Sequence, residues 1–132
     1  MLAVLAATGC AGGGGASGEV RFLVFGEPAE LQAFRSVVEE FHEIEPEVRV
    51  TLVEASDRDD LIARLSTSFA GGQPPDLFLI NYRFYGQFAA RGVLEPIQGR
   101  LSDSDAFEEE DFYPQALDAF RLDGDLVCLP QN

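Results

Sequence analysis

Polar and aromatic side chains gather at three joints where an apolar run gives way to a helical pattern. Glu27 follows the run 20–25, Asp57 follows the segment 48–53, and Asn81, Tyr82 and Arg83 follow the run 77–80. Carboxylates and a carboxamide accept or share hydrogen bonds with hydroxyl groups, and a guanidinium donates several. Tyr82 or Tyr85 offers a ring on which an apolar ligand face can stack. Each residue also has a structural use. Glu27 suits the positive end of a helix dipole. Asp57, Asp59 and Asn81 are good helix caps. Tyr85 shares an apolar stripe with Phe88, and Arg83 suits a solvated helix face. His42 lies on the polar face of its helix and reads as exposed and non-catalytic.

Patterns that carry catalysis are missing from this sequence. There is no G-x-S-x-G elbow, no Walker loop, and no G-x-G-x-x-G after a strand. One His and two Cys far apart make a zinc site a poor fit, so no metal and no cofactor is expected. Pairs such as Glu39-Glu40 fall within a helix and read as solvated. A glycosidase needs carboxylates converging in a cleft, which spacing alone does not decide.

The elements that would position the joints follow from periodicity. Residues 20–25 are β-rich and end at Gly26. Pro28 suits the first turn of a helix, and Leu31, Phe34, Val38 and Phe41 make one apolar stripe on it, until Pro46 stops it. Residues 48–53 alternate as a second strand. Ser56 and Asp59 form an S-x-x-D capping box for a second helix carrying Leu61, Ile62, Leu65 and Phe69. Gly71-Gly72 and Pro74-Pro75 end that helix. The continuous run 77–80 reads as a strand covered on both faces, and Asn81 as the cap of a third helix that ends at Gly92. This alternation predicts an α/β fold with a doubly wound, mostly parallel sheet. In such sheets ligands bind beyond the C-terminal strand ends, where the three joints lie. Farther on, 103–111 reads as a solvated acidic loop, and Asp123-Gly124 as the turn of a hairpin between 121–122 and 126–129.

Composition narrows the partners. The 132 residues include 23 acids against nine Arg and no Lys, a net charge of −14. That field repels phosphate backbones, so no nucleic acid is expected. Nor is there a polybasic segment for anionic lipid. No apolar run reaches the roughly 18 to 20 residues that span a bilayer. Met1 to Ala7 instead read as the apolar region of an export signal. Ala7-Thr8-Gly9-Cys10 resembles the bacterial lipobox, with Cys10 as the lipidated first residue of the mature chain. The glycine-rich stretch 11–18 then reads as a flexible tether. Cys128 reads as a small buried hydrophobe.

Four stretches in order resemble the extracellular solute-binding proteins of ABC importers, of the maltose- and sugar-binding kind. They are Phe41-His42-Glu43-Ile44-Glu45-Pro46 before the strand at Val48, Ala70-Gly71-Gly72-Gln73-Pro74-Pro75-Asp76, Gly92-Val93-Leu94-Glu95-Pro96-Ile97, and Asp123-Gly124-Asp125-Leu126-Val127-Cys128-Leu129-Pro130. Asp125, where a basic residue is usual, and Cys128 depart from the last pattern. The resemblance implies two lobes closing by a hinge around a small polar solute, most often a sugar or oligosaccharide. It implies delivery to ABC permease subunits, with no turnover. It also implies an N-terminal, periplasmic-binding-protein-like lobe of which this chain holds an incomplete part. Gln131 and Asn132 would then lie where the chain approaches the hinge and cleft. The expected organisation is a signal peptide at 1–9, a lipid-anchored linker at 10–18 and a partial lobe at 19–132. The expected place is the outer face of the cytoplasmic membrane or the periplasm. The alternative is a carbohydrate-active enzyme, or a sensor or adhesin domain, on a related α/β fold.

Overall fold

A computed structural model describes residues 18–131, so the expected signal segment at 1–9, Cys10 and Asn132 lie outside the described residues. The chain divides into two compact units at Leu79 and Ile80. The first holds β1 (Gly18–Val24), α1 (Pro28–Ile44), β2 (Val48–Glu54), α2 (Arg58–Ala70) and β3 (Leu77–Phe78). Its strands form a parallel sheet in the order β2-β1-β3. The α/β class and the parallel pairing follow the sequence expectation. β1 begins at Gly18, which the sequence reading places last in the tether; here it pairs with Val48.

The joint after β1 is shaped by a backward hydrogen bond. The Glu30 carboxylate accepts the Glu27 N–H at 2.8 Å, with Pro28 in the first turn where its missing N–H costs nothing. A Cβ on Gly26 would stand 2.9 Å from Glu30 Oε2 and 3.0 Å from its Cβ, so only glycine leaves room for that carboxylate. The predicted stripe of α1 is half-buried, and Phe34 meets Phe22 of β1 edge-on at 5.8 Å. His42 differs from expectation. It is half-buried, and its Nε2 accepts the Val50 N–H of β2 at 2.9 Å. The ring therefore carries its proton on Nδ1 and covers a donor on an edge strand, which is one way to blunt such an edge. Arg35 of α1 reaches Glu54 at 2.6 Å and ties the same helix to the end of β2.

The cap of α2 falls one residue later than the Ser56–Asp59 pairing read from sequence. Asp57 is the N-cap and accepts the Asp60 N–H at 2.9 Å, while Asp60 Oδ2 accepts the Ser56 N–H at 2.9 Å. Asp60 also lies one helical turn before Arg64 and bonds it at 2.9 Å, whereas Asp59 turns to its neighbour Arg58. Asp60 thus satisfies two donors that Asp59 cannot reach together. Leu61 and Leu65 bury the inner face of α2. Its end is a Schellman turn. Gly72 takes φ +68, the Gln73 N–H bonds Ser68 O at 2.9 Å, and the Gly72 N–H bonds Phe69 O at 3.2 Å.

β3 is shorter than the run 77–80 suggests. Its approach is held by Asp76, whose carboxylate accepts the Arg21 N–H at 2.8 Å while its own N–H bonds Arg21 O at 3.0 Å. Asp76 therefore closes both backbone groups of one β1 residue before the ladder starts. The Leu79 N–H then bonds Leu23 O at 3.0 Å.

The second unit holds α3 (Tyr82–Ala89), α4 (Gln98–Ser102), a 3-10 turn (Glu109–Asp111), α5 (Pro114–Asp118), β4 (Arg121–Leu122) and β5 (Asp125–Leu126). Its core is Tyr85, Ala89 and Val127, with Ile80, Leu94, Phe120, Leu122 and Cys128 packed against it. The predicted hairpin is present. Asp123 and Gly124 both take positive φ, 53 and 97, as a two-residue primed turn requires. The Val127 N–H bonds Phe120 O at 3.1 Å and extends the two-residue ladder. The acidic segment 103–111 is largely exposed, as expected, and is held at one point. Arg121 bonds Glu109 at 2.6 Å and Gln98 at 2.8 Å, and lies 3.6 Å from Asp118.

Two group environments generate measurable expectations. The bond from Arg64, and then the one from the Ser56 N–H, lowers the Asp60 carboxyl from 3.8 to about 2. A folded-state value below the unfolded one means stability that is complete above pH 3.8 and lost as pH falls through about 2. Asp60→Asn should therefore be less stable than wild type at neutral pH. That gap should close between pH 3.8 and about 2 when melting is followed across the acid range. A gap of constant size would contradict this. Tyr85 is 7% exposed, and its hydroxyl has no hydrogen-bond partner among the described residues. Burial, then Cys128 and Tyr82, raise the pKa of this hydroxyl and keep it protonated. An orphan hydroxyl costs about 1–3 kcal/mol, so Tyr85→Phe should raise the melting temperature. A fall would show that the hydroxyl is satisfied.

Candidate ligand site

The structure fixes the first two joints at one end of the sheet. β1 and β2 are in register through their last residues, Val24 opposite Glu54, and the Ala55 N–H bonds Val24 O at 2.8 Å. Glu27 and Asp57 each follow three residues later, at the N-terminus of the next helix. Both are exposed. Two carboxylates are thereby held beyond the C-terminal ends of adjacent parallel strands, the position at which open α/β sheets take ligands. β3 pairs Phe78 with Leu23, one row before Val24, so the third strand ends at the same edge.

The structural uses named from sequence are also present. Asp57 spends one oxygen on capping α2. Asn81 Oδ1 accepts the Arg83 N–H at 3.0 Å and caps α3. Its amide N–H2, and the second oxygen of Asp57, bond nothing among the described residues. Capping fixes these side chains before a ligand arrives and leaves part of each for it.

In the second unit, Asn81, Tyr82 and Arg83 are consecutive and exposed. The two tyrosines separate clearly. Tyr85 lies in the core, whereas Tyr82 is 61% exposed, so only Tyr82 offers a ring to a ligand. Gln131 is exposed at the end of the described residues. Sequence reasoning missed the residue that braces Tyr82. The Phe120 ring meets Tyr82 edge-on at 5.7 Å. The contact spans 38 positions of chain, and the one local signal for it is the Asp123-Gly124 turn that brings β5 back past Phe120. Cys128 is packed against this core, and burial raises its thiol from 9.0 to about 11. That disfavours a nucleophilic thiolate.

A shallow hollow of about 490 Å³ lies along α2, lined by Ala63, Arg64, Thr67, Ser68, Gly71 and Gln73. It is wide open and includes none of the joint residues. The joints are the better candidate because their polar groups are pre-set by caps at the strand ends. No group of three or more His, Cys, Asp or Glu residues suited to a metal occurs among the described residues.

Comparison with known proteins gives this architecture a family. Residues 26–132 match the profile described as bacterial extracellular solute-binding protein. A maltotriose-binding protein of Pyrococcus abyssi is 35% identical over 104 residues, which is 79% of this chain and 22% of the relative. An ABC substrate-binding protein of Listeria monocytogenes, solved in complex with cycloalternan, is 31% identical. It superposes with a TM-score of 0.72 over 81% of this chain and 27% of its own. The sugar-binding protein MalE of Xanthomonas citri is 27% identical, with a TM-score of 0.72 over 83% of this chain and 27% of its own. The chain thus spans about a quarter of the length of these relatives. With the profile covering all of the fold but its first strand, this chain belongs to the bacterial extracellular solute-binding protein family.

Proposed function

We propose that this chain is part of the N-terminal lobe of a transport receptor that binds a sugar or oligosaccharide and hands it to an ABC permease, without turnover. The observation that carries the reading is the placement of Glu27 and Asp57. Both carboxylates are exposed and set just beyond paired parallel strands, and Asp57 is also fixed by capping α2. Asn81, Tyr82 and Arg83 add a carboxamide, an exposed ring and a guanidinium, which suit the hydroxyls and apolar faces of a sugar. Gln131 and Asn132 are assigned to the approach to the cleft. Relatives whose names state maltotriose or cycloalternan binding support the ligand class.

A receptor feeding a permease gains from staying near it. Residues 1–9 are proposed as the export signal, Cys10 as the lipidated residue and the glycines up to β1 as the tether. The protein would then act at the outer face of the cytoplasmic membrane or in the periplasm. Among the described residues no helix is long and apolar enough to cross a membrane.

Two measurements test these readings. In the full-length protein, a panel containing maltotriose and mannotriose should raise the melting temperature. The gain is about 2.7 kcal/mol at a hundred-fold excess over Kd. No new reducing ends should form. Indifference to every sugar would overturn the ligand class, and product formation would overturn the receptor reading. Separately, metabolic labelling with a lipid precursor should mark the wild type and not Cys10→Ala. Equal labelling of the two would remove the anchor.

A further inference from the structure

We propose that Arg35 and His42 lace α1 to β2, and that Arg35 is thereby the positioning residue that sets how far apart the Glu27 and Asp57 carboxylates stand. The proposal rests on the sugar-binding reading above and gives a role to residues outside its contact set.

Two polar ties join the helix to the strand. Arg35 Nε and Nη2 both bond one Glu54 oxygen, at 3.0 and 2.6 Å. Farther along α1, His42 Nε2 accepts the Val50 N–H at 2.9 Å. Arg35 and His42 are seven residues apart, a rise of about 10 Å along a helix. Their partners are four residues apart on the strand, a span of about 13 Å. The order is reversed, since the earlier helix residue holds the later strand residue. That is the match expected of a crossover helix running antiparallel to its strands.

Seven residues are also close to two whole turns, so both ties leave one face of α1. Together they resist sliding of the helix along β2 and rolling about its own axis. Apolar packing, as of Phe34 on Phe22, is non-directional and leaves both motions cheap. Two guanidinium nitrogens on one oxygen fix the direction of a contact as well as its length.

The Arg35 tie acts where the ligand is expected. His42 holds the middle of β2, whereas Glu54 is its last residue and lies opposite Val24, the last of β1. Asp57 follows Glu54 by three residues, and Glu27 precedes Arg35 on the same helix by about two turns. The guanidinium therefore connects the helix that carries Glu27 to the strand that delivers Asp57. A ligand held by two carboxylates is bound well at the one spacing its hydroxyls match, and a spacing fixed in advance spares the cost of ordering it on binding. Arg35 touches no ligand in this scheme. It acts through Glu27.

The test is calorimetric titration of the full-length protein with maltotriose and with mannotriose, well below the melting temperature. Arg35→Ala should raise Kd about five-fold. It should have no further effect in a Glu27→Ala background, because it acts through Glu27. His42→Phe, which removes the acceptor and keeps a ring, should raise Kd about three-fold. Arg35→Glu should weaken binding at least as much as Arg35→Ala. Adding Glu54→Arg to Arg35→Glu rebuilds the pair with its charges exchanged, and should return Kd to within about two-fold of wild type. Unchanged affinity in Arg35→Ala would overturn the proposal, even if that variant melts lower. So would an equal loss with and without Glu27, which marks a structural role only. An unchanged Kd in His42→Phe would overturn the lacing, and an exchanged pair no better than Arg35→Glu alone would separate Arg35 from Glu54. A wild type that binds sugar no better than Glu27→Ala does would overturn this proposal and leave the receptor reading standing. A wild type indifferent to both sugars would overturn the sugar-binding reading and this proposal with it.

Discussion

β1 is hydrogen-bonded on both edges, and the placement of the first two joints depends on that pairing. β2 lies in full register along one side and β3 on the other. Since the strands are parallel and end within a row of one another, their C-terminal ends are forced to one edge of the sheet. Each connection must then leave from that edge and return by a helix. Asp76 secures the less extensive of the two pairings, using its side chain where the ladder has not yet begun. A slip of one residue in either pairing would send alternate side chains of β1 to the wrong face.

The groups that cap the helices are also the groups proposed to meet a ligand. Asp57 and Asn81 each hold an orphan N–H of the helix that follows, and Glu27 stands at the N-cap of α1 beside Glu30, which does that work in its place. A binding edge built from caps needs no separate scaffold. It also explains why single residues here carry both a structural and a functional reading. These are two uses of the same oxygen-bearing side chains. The ring of Tyr82 stands apart: it packs against Tyr85 and Phe120 and is otherwise exposed.

Much of this was legible in the chain because its signals are local. The stripe on α1, the Gly71-Gly72 stop and the Asp123-Gly124 turn each depend on a few neighbouring residues, and each appears where the spacing puts it. The α2 cap shifted by one because Ser56, Asp57, Asp59 and Asp60 offer competing registers. The reach of Asp60 to both Ser56 and Arg64 decided between them. β3 came out short because strand length is set by a partner, and its ladder with β1 spans two rows. The contacts of His42 and Phe120 are hidden from the sequence for the same reason. One meets a strand across a turn and the other a helix 38 positions away, and neither contact leaves a periodic trace. Within the candidate site, residue identities were legible. Which tyrosine is free and what braces it were not.

Surface acidity fits a neutral ligand and offers little to an anionic one. The chain belongs to the extracellular solute-binding protein family, and the proposed place for a solute is the strand-end edge. The central claim is that ligand contacts come from the strand-end joints. A crystal structure of the full-length protein with maltotriose tests it most directly. The account predicts sugar hydroxyls within hydrogen-bond distance of Glu27 or Asp57. A sugar bound with neither residue in contact would contradict it.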